Sequence, residues 1–410
     1  MSVSTASRGR RFNSPTVTLS DRRLWLIIIG LSIGPAVSNG FARFAYGLIL
    51  PSMQSDLGWN FSEAGWVNTA NAIGYLVGAL LALRFVRRIG AGPMFVAGMM
   101  LTAIALVGSG MARDLGLLTL CRILAGIGGA PVFIAGGVLA STLFKDDPSR
   151  NAMAIAVYFG GGGFGMLLTG LGIPPLLESL GAGAWPHTWM LLGLASALSL
   201  LPATWAVSAM PPEPGAADSG ERHQLANWRV FPALASYFMF GVGYFVYMTF
   251  LVAWMRSQGE GVHLVMATWS VLSIMVMLSP FIWRPVLAAS KAGAAITLTL
   301  LFTALGTWLP LILDGAPGML LSAALFGMAF FMVPTAVTNF SKKNYPQSQW
   351  GGAVSLFTTV FAVGQMIGPA AAGFVADQTH SLAPGLAAAG LVLVLGAGFA
   401  LMQKRLSGAD

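Results

Sequence analysis

Runs of roughly twenty mostly apolar residues recur twelve times along this chain of 410 residues. A helix rising about 1.5 Å per residue needs about that length to cross a hydrocarbon layer ~30 Å thick, whereas a spanning strand needs only about ten residues. Lipid offers no partner to a backbone N–H or C=O, so each run must satisfy its own backbone as an α-helix. The runs are Leu24–Leu50, Glu63–Phe85, Pro93–Met111, Leu115–Leu143, Ala152–Leu177, His187–Met210, Val230–Met255, His263–Trp283, Ala292–Leu313, Gly318–Phe340, Gly351–Ala376 and Leu382–Gln403. Only 9% of the residues are charged and 56% are hydrophobic, against about a quarter charged in a soluble domain. The pattern specifies an all-α polytopic membrane protein with twelve transmembrane helices.

Because twelve is even, both termini lie on one side of the membrane. Of the 22 Lys and Arg, eighteen fall in the tails and in the connections on that side, Arg84, Arg87 and Arg88 among them. Arg113 and Arg256 fall in the opposite loops, and Arg43 and Arg122 lie within runs. Basic loops stay on the cytoplasmic face, so both termini are expected there. The net charge of +8 thus reports orientation and does not point to a nucleic-acid partner. The single cysteine, Cys121, excludes an intramolecular disulfide, and no His/Cys cluster has metal-ligand spacing. Neither a metal nor a cofactor is expected.

The longest polar connection, Pro211–Trp228, is rich in Pro, Gly and charge and falls at mid-chain, as a linker between two halves would. The chain divides accordingly into a cytoplasmic tail (1–23), a six-helix half (24–210), the linker (211–228), a second six-helix half (229–403) and a short tail (404–410). One offset of 201 residues brings Gly40 onto Gly241, Tyr46 onto Tyr247, Gly58 onto Gly259, Gly126 onto Gly327 and Gly163 onto Gly364. Parallel six-span repeats of this kind place a solute site at their interface near mid-membrane.

In the fourth run, Leu120–Ala130 reads LCRILAGIGGA, and its Arg-x-x-x-Gly-x-Gly-x-Ala resembles the fourth-helix motif of the major facilitator superfamily (MFS). Gly78–Gly90, GALLALRFVRRIG, resembles that superfamily's loop signature, a glycine-led run ending in a basic cluster. It departs from the signature in having Ala82 or Leu83 where an acidic residue is usual and Val86 where glycine is expected. Asn39–Pro51, with Gly65-Trp66 and Asn68–Gly74, further resembles the bacterial YbfB/YjiJ-type branch. The resemblance implies two pseudo-symmetric six-helix bundles rocking about a central site, and secondary transport by alternating access across a bacterial inner membrane. It also implies a structural or coupling role for Arg122, Gly126, Gly78, Arg87 and Arg88.

Arg43 is the most informative single residue. A guanidinium keeps its charge at every working pH, and placing one in a span costs at least a few kcal/mol. All fourteen acidic residues lie in tails, loops or at run ends, so no deep carboxylate is available to pair with it. An unpaired buried cation is strongly unfavourable, and a planar guanidinium takes a carboxylate, sulfonate or phosphate through two parallel hydrogen bonds. An anionic solute is therefore expected at Arg43; the competing expectation is a side chain that snorkels to the interface. At α-helical spacing Asn39 and Tyr46 share its face. The second run contributes a stripe of Asn68, Asn71 and Tyr75, the seventh contributes Tyr244 and Tyr247, and the eleventh contributes Gln365. The repeat offset sets Tyr244 opposite Arg43.

These residues describe a secondary transporter for a small carboxylate-like organic anion, working as a monomer in the lipid bilayer. Two alternatives are proton-driven efflux of amphipathic drugs or metabolites through an aromatic, methionine-rich cavity, and a non-transporting membrane sensor or scaffold. Gly160–Gly163 lacks the preceding strand and the following Lys-Ser/Thr of a phosphate-binding loop, so ATP is not expected to drive transport. No nucleophile and base arrangement suggests an enzyme.

Overall fold

The computed structural model describes residues 20–210, 228–346 and 349–406. Most of the expected tails and linker, 1–19, 211–227 and 407–410, lie outside the described residues, as does the side chain of Arg87. Twelve helices are long and apolar enough to cross a membrane, and each coincides with one expected run. Span one is the longest, Asp21–Leu57, followed by Phe61–Val86, Ala91–Met111, Leu115–Thr142, Pro148–Leu180 and Ala182–Ser208. The second half comprises Trp228–Ser257, Val262–Ala289, Ala294–Ile312, Gly315–Asn344, Gly352–Thr379 and Ala383–Met402. Span ten is interrupted at Phe331, between helices Gly315–Phe330 and Met332–Asn344.

Loop residues close the helix ends. Gly58 ends span one in the left-handed conformation at φ 66°, which a glycine adopts without a Cβ penalty. Asn60 and Glu63 form a reciprocal capping box at the start of span two. Asp114 caps span four by accepting from Leu117 N, and Asp147 caps span five. Each supplies an acceptor to first-turn N–H groups that have none within their own helix.

Inside each half, glycines set the helix spacing. A β-carbon on Gly126 of span four would meet the Asn71 carbonyl and stand 2.6 Å from Tyr75 N, both in span two. Gly74 and Gly78 of span two press in return on the carbonyls of Ile123 and Ile127. At the repeat position in the second half, a β-carbon on Gly327 of span ten would lie 2.5 Å from the Leu272 carbonyl of span eight. Lipid is as apolar as leucine, so helices associate here through close van der Waals contact that only small residues permit.

The halves touch mainly through spans two and eleven, five and eight, and one and seven. At the end opposite the termini, the Asp377 carboxylate of span eleven accepts from Phe61 N at 2.8 Å and Ser62 N at 2.9 Å, and also from the Ser62 hydroxyl. A carboxylate from one half thus caps the positive N-terminus of a helix in the other. Deeper along the same seam, Asn68 Nδ2 donates to Thr249 Oγ1 at 2.6 Å and the Thr69 hydroxyl to the Met366 carbonyl at 3.1 Å. Toward the end that carries the termini, Phe133, Phe159, Phe331, Ser355 and Thr358 are partly exposed. Among the described residues, the hydrogen bonds between the halves run from mid-span to the end opposite the termini.

Two outcomes follow from this packing. Gly126→Ala has to push spans two and four apart, and is expected to cost about 1–3 kcal/mol, read as a lower unfolding temperature in detergent. Asp377→Asn weakens the cap between the halves. In a Cys121→Ala background it is expected to raise, severalfold, maleimide labelling of a cysteine placed at Thr69; unchanged labelling would show that the carboxylate does not hold this end shut.

Candidate functional site

Pro35, which has no N–H to donate, stands directly before a nine-residue π-helix, Ala36–Phe44, in the middle of span one. Its i→i+5 bonds close a wider turn than those of an α-helix, and such segments concentrate at functional sites. Each residue then advances the helix by a smaller angle, so positions four apart still share a face but positions seven apart no longer do. The expected grouping of Asn39, Arg43 and Tyr46 is accordingly split. Asn39 and Arg43 point between the halves, while Tyr46, back in α-helix, turns into the first half.

Arg43 is buried, with 5% of its surface exposed, and does not snorkel. Its guanidinium carbon lies over the rings of Tyr75 at 4.6 Å, Phe245 at 4.8 Å and Phe44 at 5.8 Å. These rings come from both halves, and the negative face of each stabilises the cation. Arg43 Nη2 donates to the Tyr244 hydroxyl at 3.0 Å, and Tyr244 donates onward to Gln365 Oε1 at 2.8 Å. Two buried donors at the ends of this relay, Arg43 Nε and Gln365 Nε2, have no hydrogen-bond partner. Asn39 is also buried, and its side chain packs on Gly162 of span five, which in turn borders Phe331. Arg43, Asn39, Tyr75, Tyr244 and Gln365 are therefore brought together between the halves.

The structure leads Tyr46, Asn71 and Tyr247 elsewhere. The Tyr46 hydroxyl donates to the Ala64 carbonyl at 2.6 Å. Asn71 Nδ2 donates to the Arg122 carbonyl at 3.1 Å, tying span two to span four. Tyr247, the repeat counterpart of Tyr46, shares a 2.7 Å hydrogen bond with Ser322 and stacks on Phe326 at 3.9 Å. All three are buried in the interior of their own half, with polar groups committed to neighbouring helices. Arg122 is wholly enclosed in the first half, its guanidinium over Trp189 at 4.9 Å and Tyr46 at 5.4 Å, and none of its three nitrogens has a hydrogen-bond partner. Gly126 and Gly78 are packing positions, and Arg88 is exposed near the end of span two.

Phe245, Thr249, Phe330 and Phe361 also reach the centre, and none of them stands out in the sequence. For Phe245 a signal is present, since the repeat offset carries Phe44 onto Phe245 just as it carries Arg43 onto Tyr244. Both phenylalanines pack on the same guanidinium. For Thr249 there is none: its partner Asn68 is 181 residues away, in the other half.

Residues 35–401 match the model of the family described as the uncharacterised MFS-type transporter YbfB. The chain belongs to that family. No curated protein matches the sequence. Among solved structures, a mutant of the nucleoside transporter NupG superposes with a TM-score of 0.69 at 14% identity, over 92% of this chain and 98% of that one. A bacterial homologue of the human lysosomal transporter Spinster, in an inward-facing and unoccupied conformation, also gives 0.69, at 16% identity over 95% of this chain and 98% of that one. The inward-facing and occupied form of that homologue gives the same score and identity over 94% and 98%. At this identity the likeness concerns the fold: two six-helix bundles of the MFS type. The YbfB-family chain is thus a multi-pass membrane transporter.

Within this YbfB-family protein, Tyr46→Phe and Tyr247→Phe each remove one buried hydroxyl bond. Each is expected to cost about 0.5–1.5 kcal/mol of stability, seen in thermal unfolding, and to leave solute exchange intact. Loss of exchange in a stably folded Tyr247→Phe variant would place that hydroxyl in the transport path.

Proposed function

We propose that this protein is a secondary transporter of a small organic anion, bound at Arg43 between the halves and moved by alternating access. One observation carries the reading. Arg43 holds a permanent charge at mid-depth, and both it and Gln365 keep a buried donor without an acceptor. The ten described acidic side chains sit at span ends or in loops, which leaves room for a solute to supply the complement to these donors. A carboxylate supplies two acceptor oxygens in one plane, which suits a guanidinium edge and a nearby amide. Asn39 and Tyr75 border the same position and serve to orient the solute. One chain contains both halves of the site, which accords with a monomer as the working unit.

On the positive-inside rule both termini belong in the cytoplasm, with the Asp377 cap at the outer end, and the resemblance to the bacterial branch implies an inner membrane. With every described carboxylate remote from Arg43, anion exchange or a proton carried on the solute itself serves as the coupling. Arg88, at the inner end of span two, belongs to the positive collar that orients the protein.

Arg43→Gln preserves most of the side chain's volume and removes its charge. In reconstituted vesicles it is expected to lower counterflow of labelled organic acids by at least roughly thirty-fold, as loss of a buried charged pair does, while thermal stability stays near that of the parent. Undiminished counterflow in the variant would refute the anion reading. Stabilisation of the parent by hydrophobic cations alone would favour drug efflux.

A further inference from the structure

The rings around the Arg43–Tyr244–Gln365 relay narrow the class of anion, an inference that rests on the anion reading above. The donors of a guanidinium lie in its plane, and the rings of Tyr75 and Phe245 lie against the guanidinium from opposite halves. An oxyanion therefore reaches Arg43 along its N–H edge. Nη2 on that edge is engaged by Tyr244 and Nε is unpartnered. An oxygen on Nε sits beside the Tyr244 hydroxyl, and through it beside Gln365, whose Nε2 is the second unpartnered donor.

Whatever body the carboxylate carries then lies against the rings that surround Tyr244. Phe240, Phe361 and Phe330 stack on the Tyr244 ring at 4.6, 5.7 and 5.9 Å, with interplanar angles of 16°, 19° and 20°. Tyr237 continues the stack on Phe361 at 4.7 Å and 11°. Phe331 stands edge-on to Phe330 at 4.8 Å and is partly exposed. Near-parallel rings offer a further ring the offset-stacked and edge-to-face geometries that aromatic pairs favour over aliphatic contact. A carboxylate bonded directly to a ring is rigid, so little freedom is lost on binding.

Charge sets a further limit. Arg122 is enclosed in the first half against Trp189 and Tyr46, so Arg43 alone meets the solute. A second carboxylate on the solute would be buried without a partner.

We propose that the site takes a small aromatic monocarboxylate, its oxygens on Arg43 Nε and Gln365 Nε2 and its ring against Phe361 and Phe331. The test is calorimetric binding to the purified full-length protein, with benzoate, cyclohexanecarboxylate, benzamide and phthalate as probes. Benzoate is expected to bind more tightly than its saturated counterpart by roughly two- to twelve-fold for each ring pair formed. Benzamide and phthalate should bind more weakly than benzoate. Phe361→Leu and, as a second variant at a partly exposed ring, Phe331→Leu should bring the benzoate-to-cyclohexanecarboxylate ratio toward one with little change for cyclohexanecarboxylate. Equal or tighter binding of cyclohexanecarboxylate, abolished by Arg43→Gln, would overturn the aromatic assignment while leaving the anion reading in place. Failure of both carboxylates to bind a folded protein would overturn both.

Discussion

A single guanidinium held between two helix bundles is the interaction on which the central architecture turns. Arg43 cannot lose its proton and has no carboxylate near it among the described residues, so the fold surrounds it with groups that tolerate a cation without neutralising it. Ring faces from spans one, two and seven meet the charge, and a phenol hydroxyl accepts one N–H. The hydroxyl belongs to the repeat-related position in the other half. The bond between Arg43 and Tyr244 therefore runs between equivalent points of the two repeats, where a rocking motion of the halves would be felt at its centre.

The surroundings of this contact divide into rigid and separable parts by the same physics. Within a half, backbones approach at Gly74, Gly78 and Gly126 until side chains are excluded, and buried hydroxyls and amides such as Tyr46, Asn71 and Tyr247 are spent on neighbouring helices. These contacts tie the helices of each half together. Between halves the bonds are fewer and lie from mid-span to one end, finishing at the Asp377 cap on the start of span two. The superfamily's loop signature, at the opposite end, has lost its acidic residue in this chain. A carboxylate on a helix N-terminus is present at the end opposite the termini, where it joins the halves.

Part of the site is legible in the order of the residues. An uncompensated charge, the lack of a deep counter-ion and the 201-residue offset together single out Arg43 and Tyr244. The same offset also pairs Phe44 with Phe245, a signal hidden only because phenylalanine is so common in this chain. Tyr46 and Tyr247 illustrate the limit. Each lies three residues from a member of the central pair, and nothing local distinguishes a tyrosine facing the other half from one facing its own bundle. The α-helical spacing that placed Tyr46 beside Arg43 fails because span one widens into a π-helix after Pro35, a change of helical phase that composition does not announce.

By itself the sequence determined the twelve helices, their division into related halves, the expected orientation in the membrane and the presence of an uncompensated cation. All of these follow from the length of apolar runs, the distribution of Lys and Arg, and the desolvation cost of charge in lipid, which depend on residue type and order. Only the tertiary structure decided which polar side chains reach that cation. It set Tyr75 and Gln365 beside Arg43 and Tyr244, kept Arg122 enclosed against Trp189, and assembled a stack of rings from spans seven, ten and eleven. The physical reason is that such contacts join residues far apart in the chain. Their orientation depends on helical phase and on how closely glycine lets neighbouring backbones approach.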